Sequence, residues 1–464
     1  MKLTLIDIFN LNSAVIYNPD LYRTVNSVST DTRTIKKNSL FVAIKGKNFD
    51  GHNYIQEAIK KGASAILVNK NKLSSLDFID LPIISVSNTI KAYGELANII
   101  RNKFSGKVIS ITGSNGKTTT KEMIAHLLSA KYKVHKTVSN NNNNIGVPLT
   151  ILTAPNNSEI MVLEHGTNHF GEIEFTAKIA QPDYGLITNI GSSHLQYLIS
   201  AEKIYEEKTK LFDYVKSNGN VFINADDKFL KNQIKVRKNS ITYGSRKNLD
   251  LSYEIVSISN DSKYKINING FNKNFNIVIP LLGKANIQNI ITAIAVALKL
   301  GLSKAEIINS IKTLKPVKGR LCEFDFNQFT IIDDTYNANP ESVKNALDVL
   351  RTFGKRKNKI LLLGDMFELG DETENIHSEL AANIKKTKIN LLLSIGKNTK
   401  VINNSKKLGA IKGIHFNNRN KLHSYLESLD LKDSVILVKG SRGMKMEEFV
   451  ETIKRKMPDV ISPF

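Results

Sequence analysis

The chain of 464 residues contains one cysteine, Cys322. A single thiol excludes an internal disulfide framework and a cysteine-rich metal centre. No apolar run approaches the ~18 residues that a membrane-spanning helix requires. The opening residues, Met1-Lys2-Leu3-Thr4-Leu5-Ile6-Asp7-Ile8, are interrupted by Asp7 and then Asn10 and carry no small-residue cleavage site. They do not read as a signal peptide. These absences lead to the expectation of a cytoplasmic protein with no membrane insertion. No internal repeat is visible, and the length calls for roughly two to four domains.

Acidic residues are also scarce relative to basic ones: 43 Asp+Glu stand against 65 Lys+Arg, a formal charge of +22. Such an excess suits a nucleic-acid binder. The lysines, however, are scattered through Asn- and Ile-rich sequence, with no dense basic arm and no interleaved aromatics. The expectation is solvated basic faces, no nucleic-acid partner, and a field that attracts an anionic nucleotide.

What the chain does contain is centred on Val108-Ile109-Ser110-Ile111-Thr112-Gly113-Ser114-Asn115-Gly116-Lys117-Thr118-Thr119-Thr120. A β-branched run enters a glycine turn, and Lys121 to Leu128 reads as a helix. Strand, glycine turn and helix point backbone N–H groups at a phosphate. Gly113 and Gly116 permit the turn, Lys117 supplies a charge for the outer phosphates, and the Thr118 hydroxyl is placed for Mg²⁺. Ile111 stands where the general pattern has a further glycine. Taken alone, the stretch also fits a Gly-Lys-Thr turn that simply starts an ordinary helix.

Strand and helix patterns alternate from about 107 to 315, as in a mainly parallel sheet with helices on both faces. Ligands collect beyond the carboxyl ends of such strands. Glu164 closes the strand Ile160–Leu163 and reads as a Mg²⁺ ligand or as a helix cap. His194 follows the strand 184–190 and reads as a ligand or a structural histidine. Lys208 shares a helix face with Ile204, Leu211 and Phe212. Either its stem packs while its ammonium reaches water, or it is held in a pocket where it can be chemically altered. Asn286 and Asn289 share one face of a helix start, where their amides cap the helix or bond an adenine edge. Residues 240 to 280 alternate apolar and polar, as in an antiparallel hairpin. Ser105-Gly106-Lys107 and Lys315 to Arg320 read as hinges, giving domains at 1–105, 106–316 and 317–464.

Several runs together resemble the Mur ligase family of ATP-dependent amide-bond ligases in cell-wall precursor synthesis. They are Thr30-Asp31-Thr32-Arg33, Phe41-Val42-Ala43-Ile44, Asp50-Gly51-His52, the glycine turn, Asn142 to Thr150 and Asn189-Ile190-Gly191. Asp334-Thr335-Tyr336-Asn337-Ala338-Asn339-Pro340 and Gly364-Asp365-Met366-Phe367-Glu368-Leu369-Gly370 complete the set. The resemblance implies an α/β protein of three domains. A small N-terminal α/β domain would bind a UDP-sugar, a central mainly parallel P-loop sheet would bind ATP, and a C-terminal Rossmann-like domain would close on ATP and bind a dipeptide. The last two runs are specific to the member that joins D-alanyl-D-alanine to UDP-N-acetylmuramoyl-tripeptide through an acyl phosphate.

The same resemblance implies the residue roles. Gly113, Ser114, Asn115, Gly116, Lys117, Thr118 and Thr119 would hold the ATP phosphates, with Asn286, Asn289, Arg320 and Asp334 as further nucleotide contacts. Thr118 and Glu164 would bind one Mg²⁺, and a second would lie on Glu164, His194 and a carbamylated Lys208. Thr30, Asp31, Thr32 and Arg33 would contact the UDP-sugar, while Asn142, Asn143, Asn337 and Asn339 would line the peptide and dipeptide sites. His165 stands where the family usually has Met or Leu, Ala285 where it commonly has an aromatic or His, and Thr209-Lys210 where Gly-Glu is frequent. A monomer is expected. The alternatives are another ligase of the superfamily, either one adding the third residue or a folate-polyglutamylating type, or a basic P-loop ATPase stimulated by nucleic acid.

Overall fold

The computed structural model describes residues 2–76, 80–191 and 200–456. The chain forms two compact units, one of 1–112, 131–186 and 209–221, the other of 113–130, 187–208 and 222–464. Its architecture is three-domain α/β with mixed, mostly parallel sheets.

The first unit holds a five-stranded sheet in the order Val15–Tyr17, Ile83–Val86, Ala63–Asn69, Ser39–Val42, Ser27–Ser29. All neighbours are parallel except the first pair. The two buried central strands, Ser39–Val42 and Ala63–Asn69, are flanked by three short ones. The helix Thr89–Lys103 begins at Asn88, whose Oδ1 accepts from the Ile90 and Lys91 amides. It buries Tyr93, Leu96, Ala97 and Ile100 in the core shared with Leu67 and Ile84. A second set of strands follows in the order Tyr184–Ile187, Lys107–Thr112, Ile160–Glu164, Val134–Lys136. The last three are parallel, and Ile111 stands in register with Glu164. Gly106, in the first expected hinge, is a point of close approach. A Cβ there would lie 2.2 Å from the Glu159 carbonyl oxygen.

Arg101 ties the helix Thr89–Lys103 to the strand that carries the glycine turn. Only 1% exposed, it donates to the carbonyls of Ala180 (2.7 Å) and Gln181 (2.9 Å) and to Asp183 Oδ2 (3.0 Å). Asp183 Oδ2 also accepts from the Val108 amide at 2.9 Å. Every strong donor and acceptor in this cluster therefore has a partner, the condition under which burying a charge is tolerated.

In the second unit, the helix Lys117–Leu128 starts immediately after Gly116, four residues earlier than the pattern suggests. It packs against the helix Ala285–Lys299, which is apolar on most of its circumference and almost wholly buried. The region 240–280 forms Ser240–Gly244, Leu251–Ile258, Tyr264–Gly270 and Lys273–Val278, the last three an antiparallel meander. The C-terminal sheet runs Cys322–Asp325, Phe329–Asp334, Ser434–Lys439, Asn358–Gly364, Leu391–Ile395, Lys412–Phe416. Its five inner and far strands are parallel, and only Cys322–Asp325 is antiparallel. Alternate strand residues feed two cores: Leu361, Leu363 and Leu437 face Leu347 and Leu380, whereas Ile360, Leu362 and Ile436 face Leu422 and Phe449. Helices thus cover both faces and leave the carboxyl edge for ligands.

Replacing Arg101 by Met removes the buried cation of Asp183 and leaves it only the half-exposed Lys107 at 3.6 Å. The substitution is expected to cost about 3–5 kcal/mol, read as a lowered urea midpoint at unchanged slope.

Candidate active site

The glycine turn is defined by what its backbone touches. Gly113 has φ +146° and Gly116 φ +78°, conformations that side chains resist. A Cβ on Gly113 would lie 1.9 Å from Thr188 Oγ1, and one on Gly116 would lie 2.5 Å from Asn289 Oδ1. The residues after the strand Tyr184–Ile187 hold the turn in shape. Ser114 N donates to the Asn189 carbonyl (3.0 Å), Asn115 N to Asn189 Oδ1 (3.0 Å), and Thr188 Oγ1 to the Asn115 carbonyl (2.6 Å). Ser114 Oγ accepts from Gly191 N at 2.9 Å and donates to the Gly191 carbonyl at 3.0 Å. Thr188, Asn189 and Gly191 are thus supports of the turn that residue-by-residue reading assigned no role. The signal available was the Asn-Ile-Gly run, whose contact with the turn lies about 75 residues away in sequence.

Lys117 is the first residue of the helix, and its ammonium folds back to the Gly113 carbonyl at 2.6 Å. Thr118 and Thr119 are buried beside it. Thr118 Oγ1 accepts from Arg320 Nη2 at 3.3 Å. Asn289 Oδ1 accepts from Thr120 Oγ1 (3.1 Å), Asn289 Nδ2 donates to Asn286 Oδ1 (3.1 Å), and Asn286 Nδ2 donates to the Leu282 carbonyl (2.8 Å). These two amides form a buried relay that ends against Gly116. Lys208 is 1% exposed. Burial and the nearby Lys117 charge hold its amine well below the ordinary lysine value, against the opposing effect of Glu207. His194 lies outside the described residues.

The C-terminal residues meet the same turn. Arg320 stacks on Tyr336, 4.2 Å from its ring centroid, and Leu321 N donates to Asp334 Oδ1 at 3.2 Å. Asp334 Oδ2 accepts from the buried Lys439 at 2.5 Å, and Lys439 also donates to the Asn337 carbonyl at 3.0 Å. Asn337 Oδ1 accepts from Arg442 N at 3.2 Å. Asn339 caps the helix Pro340–Thr352 through Ser342 N (2.8 Å) and donates to Asn115 Oδ1 (2.7 Å). Asn337 and Asn339 therefore occupy one loop, and Asn339 reaches the glycine turn directly.

In the first unit, Glu164 is buried at the end of its strand. Its Oε1 accepts from Asn142 Nδ2 at 2.9 Å. Asn143 Oδ1 accepts from the Ile145 and Gly146 amides at 3.1 and 2.8 Å and so starts the helix Gly146–Leu152. His165, the departure from the usual apolar residue, is fully buried. Its Nε2 meets Ser110 Oγ at 2.8 Å and its Nδ1 meets Thr176 Oγ1 at 2.9 Å. Burial pushes it down to about 3, so it is a neutral strut between strand and helix. Thr30, Asp31, Thr32 and Arg33 follow the strand Ser27–Ser29. Arg33 pairs with Asp31 at 2.7 Å, holding that carboxyl below its usual range, and Thr32 Oγ1 donates to Glu57 Oε1 at 2.9 Å.

A tight glycine turn at the head of a buried helix, beside a parallel sheet, defines a nucleotide-binding α/β protein of the P-loop type. Descriptions of three Mur ligase segments match in order: the Mur ligase family catalytic domain at 24–101, the Mur ligase middle domain at 111–297, and the Mur ligase glutamate ligase domain at 319–442. The chain belongs to the Mur ligase family. It is 36% identical over 464 residues to the UDP-N-acetylmuramoyl-tripeptide--D-alanyl-D-alanine ligase of Bacillus subtilis, covering 98% of each chain. With the enzyme of the same name from Escherichia coli it shares 34% over 444 residues, 93% of this chain and 94% of that one. Among solved structures it is similar to MurF from Acinetobacter baumannii, with TM-score 0.87, 27% identity, and 98% and 99% coverage. It is also similar to the MurF ligase from Thermotoga maritima in complex with ADP, with TM-score 0.84, 29% identity, and 94% and 98% coverage.

Gly113→Ala places a methyl inside van der Waals contact of Thr188 at a φ that alanine resists. ADP affinity is expected to fall at least about tenfold by calorimetric titration, with about 1–3 kcal/mol lost from stability.

Proposed function

We propose that this chain is an ATP-dependent ligase that joins D-alanyl-D-alanine to UDP-N-acetylmuramoyl-tripeptide in peptidoglycan precursor synthesis, giving UDP-N-acetylmuramoyl-pentapeptide, ADP and phosphate. The observation that carries this reading is the glycine turn gripped by Asn339 of the loop Asp334–Pro340, since nucleotide and acceptor chemistry then share one place. Relatives bearing that enzyme's name, aligned over nearly the whole chain, support it. We take the functional domains as 1–105, 106–316 and 317–464. The first takes the UDP-sugar through Thr30, Asp31, Thr32 and Arg33, the second takes ATP, and the third takes the dipeptide through Asn337 and Asn339. Among the described residues no helix is long and apolar enough to cross a membrane. We read the protein as a cytoplasmic monomer with no nucleic-acid partner.

The tripeptide carboxylate attacks the γ-phosphate of ATP. An acyl phosphate and ADP form, the dipeptide amine attacks the acyl carbon, and phosphate leaves. Because an anion attacks an anion, positive charge and oriented dipoles are needed where the phosphoryl group moves. Lys117, Arg320 and the turn amides of Gly113 to Thr119 supply them, while Asn286, Asn289 and Asp334 fix the nucleotide. Closing the C-terminal segment over the turn keeps water from the acyl phosphate.

The hard oxygen donors suit Mg²⁺. Glu164 is buried with one oxygen held by Asn142, and Thr118 brings a hydroxyl held by Arg320. Burial lowers the pKa of the Lys208 amine and so favours the neutral form, which is the one that adds CO₂; a carbamate there would bring carboxylate oxygens. Thr118 and Glu164 would hold one ion, and Glu164, His194 and carbamylated Lys208 a second. Bound there, the ions would neutralise phosphate charge.

The direct test incubates the protein with ATP, Mg²⁺, UDP-N-acetylmuramoyl-tripeptide and D-alanyl-D-alanine. Phosphate release should require both the tripeptide and the dipeptide; release indifferent to either one contradicts the reading. Lys208→Ala should abolish turnover, and short carboxylates added to that variant should restore part of it. A fully active Lys208→Ala enzyme removes the carbamate.

A further inference from the structure

Glu341 lies in the first turn of the helix Pro340–Thr352, two residues beyond Asn339. Its carboxylate does not stay on its own element. Oε2 accepts from Asn115 Nδ2 at 2.7 Å, inside the glycine turn. It also presses on the backbone that supports the turn, since a Cβ added at Gly191 would lie 2.0 Å from that same oxygen. A carboxylate is thus brought against a loop built to hold phosphate, where like charge repels like. The half-buried position leaves it in exchange with water.

An ammonium entering beside the turn would meet this carboxylate, and the reaction supplies one. Resting on the ligase reading above, we infer that Glu341 receives the amino group of the incoming dipeptide and takes its protons. The dipeptide arrives as an ammonium and meets Glu341 on one side and the acyl phosphate on the other. It first gives one proton to Glu341, which passes it to solvent. The free amine then attacks the acyl carbon, and the new C–N bond leaves a second proton on nitrogen. That proton goes to Glu341 while the C–O bond to phosphate breaks and orthophosphate departs with the electron pair. Asn115 is the natural guide for this group. Its Nδ2 holds Glu341, and its Oδ1 is held by Asn339, so the base and the dipeptide loop are set by one side chain.

Two nucleophiles separate this role from a structural one. Hydroxylamine is uncharged at about pH 8 and captures the acyl phosphate as a hydroxamate without needing its first proton removed. Glu341→Gln keeps an acceptor for Asn115 but takes no proton. It should lower kcat/KM for the dipeptide on the order of 100-fold, while hydroxamate formation from the tripeptide falls less than about threefold. Glu341→Asp should recover at least about a tenth of the dipeptide rate. Dipeptide kcat/KM within about threefold of wild type in Glu341→Gln overturns the proposal, and so does an equal fall with both nucleophiles, which would assign Glu341 to holding the turn. A wild-type enzyme that makes hydroxamate but no dipeptide product instead refutes the acceptor reading on which the inference rests.

Discussion

The glycine turn at 113–116 works because two side chains are missing from it. At Gly113 the space a methyl would need is taken by the Thr188 hydroxyl, and at Gly116 by the Asn289 amide. Both positions carry positive φ, so shape and backbone conformation demand the same residue. The turn is then held from outside by Thr188, Asn189 and Gly191. The turn amides are therefore held in one orientation by these neighbours. The Thr120–Asn289–Asn286 relay extends this frame through the helix Ala285–Lys299.

Buried charge is handled in three distinct ways, and the contrast separates structural from chemical groups. Arg101 is fully satisfied by two carbonyls and Asp183, and it serves cohesion. Lys439 is equally buried, yet its partners are Asp334 and the carbonyl of Asn337, both at the segment whose Asn339 reaches the glycine turn. Lys208 has neither kind of partnership among the described residues, and burial drives it toward the neutral amine. Keeping a lysine buried costs several kcal/mol unless it is paired or discharged. Burial shifts Lys208 in the direction that lessens this cost.

How much of this was legible in the residues depended on range. The buried strands Ile160–Glu164 and Ile360–Leu363 announce themselves by composition, and Gly113 and Gly116 by the turn they punctuate. The helix start at Lys117 was hidden because Thr118, Thr119 and Thr120 are β-branched and favour helix poorly. Burial and the turn before them override that preference. Val15–Tyr17 and Ile83–Val86 are too short to show a period; Ile83–Val86 is set by its ladder with Ala63–Asn69, and Val15–Tyr17 by its ladder with Ile83–Val86. The departure at His165 becomes intelligible only when Ser110 and Thr176 are seen on either side of the ring. No local pattern announces Asn115 meeting Asn339 and Glu341 more than 200 residues away.

That last contact also explains why a phosphate turn should carry an asparagine at its tip. An amide presents a donor and an acceptor a few ångströms apart on one rigid plane. Asn115 uses the acceptor for the Asn339 amide and the donor for the Glu341 carboxylate. A carboxylate there would repel Glu341, and a lysine would offer the Asn339 amide no acceptor. The start of the helix Pro340–Thr352 is thereby docked on the turn through polar contacts. Such a joint is directional, and a charged group can displace it because its two hydrogen bonds are worth only about 1–3 kcal/mol together. The contact that aligns the loop is therefore also the one that sets the Glu341 carboxylate against the turn.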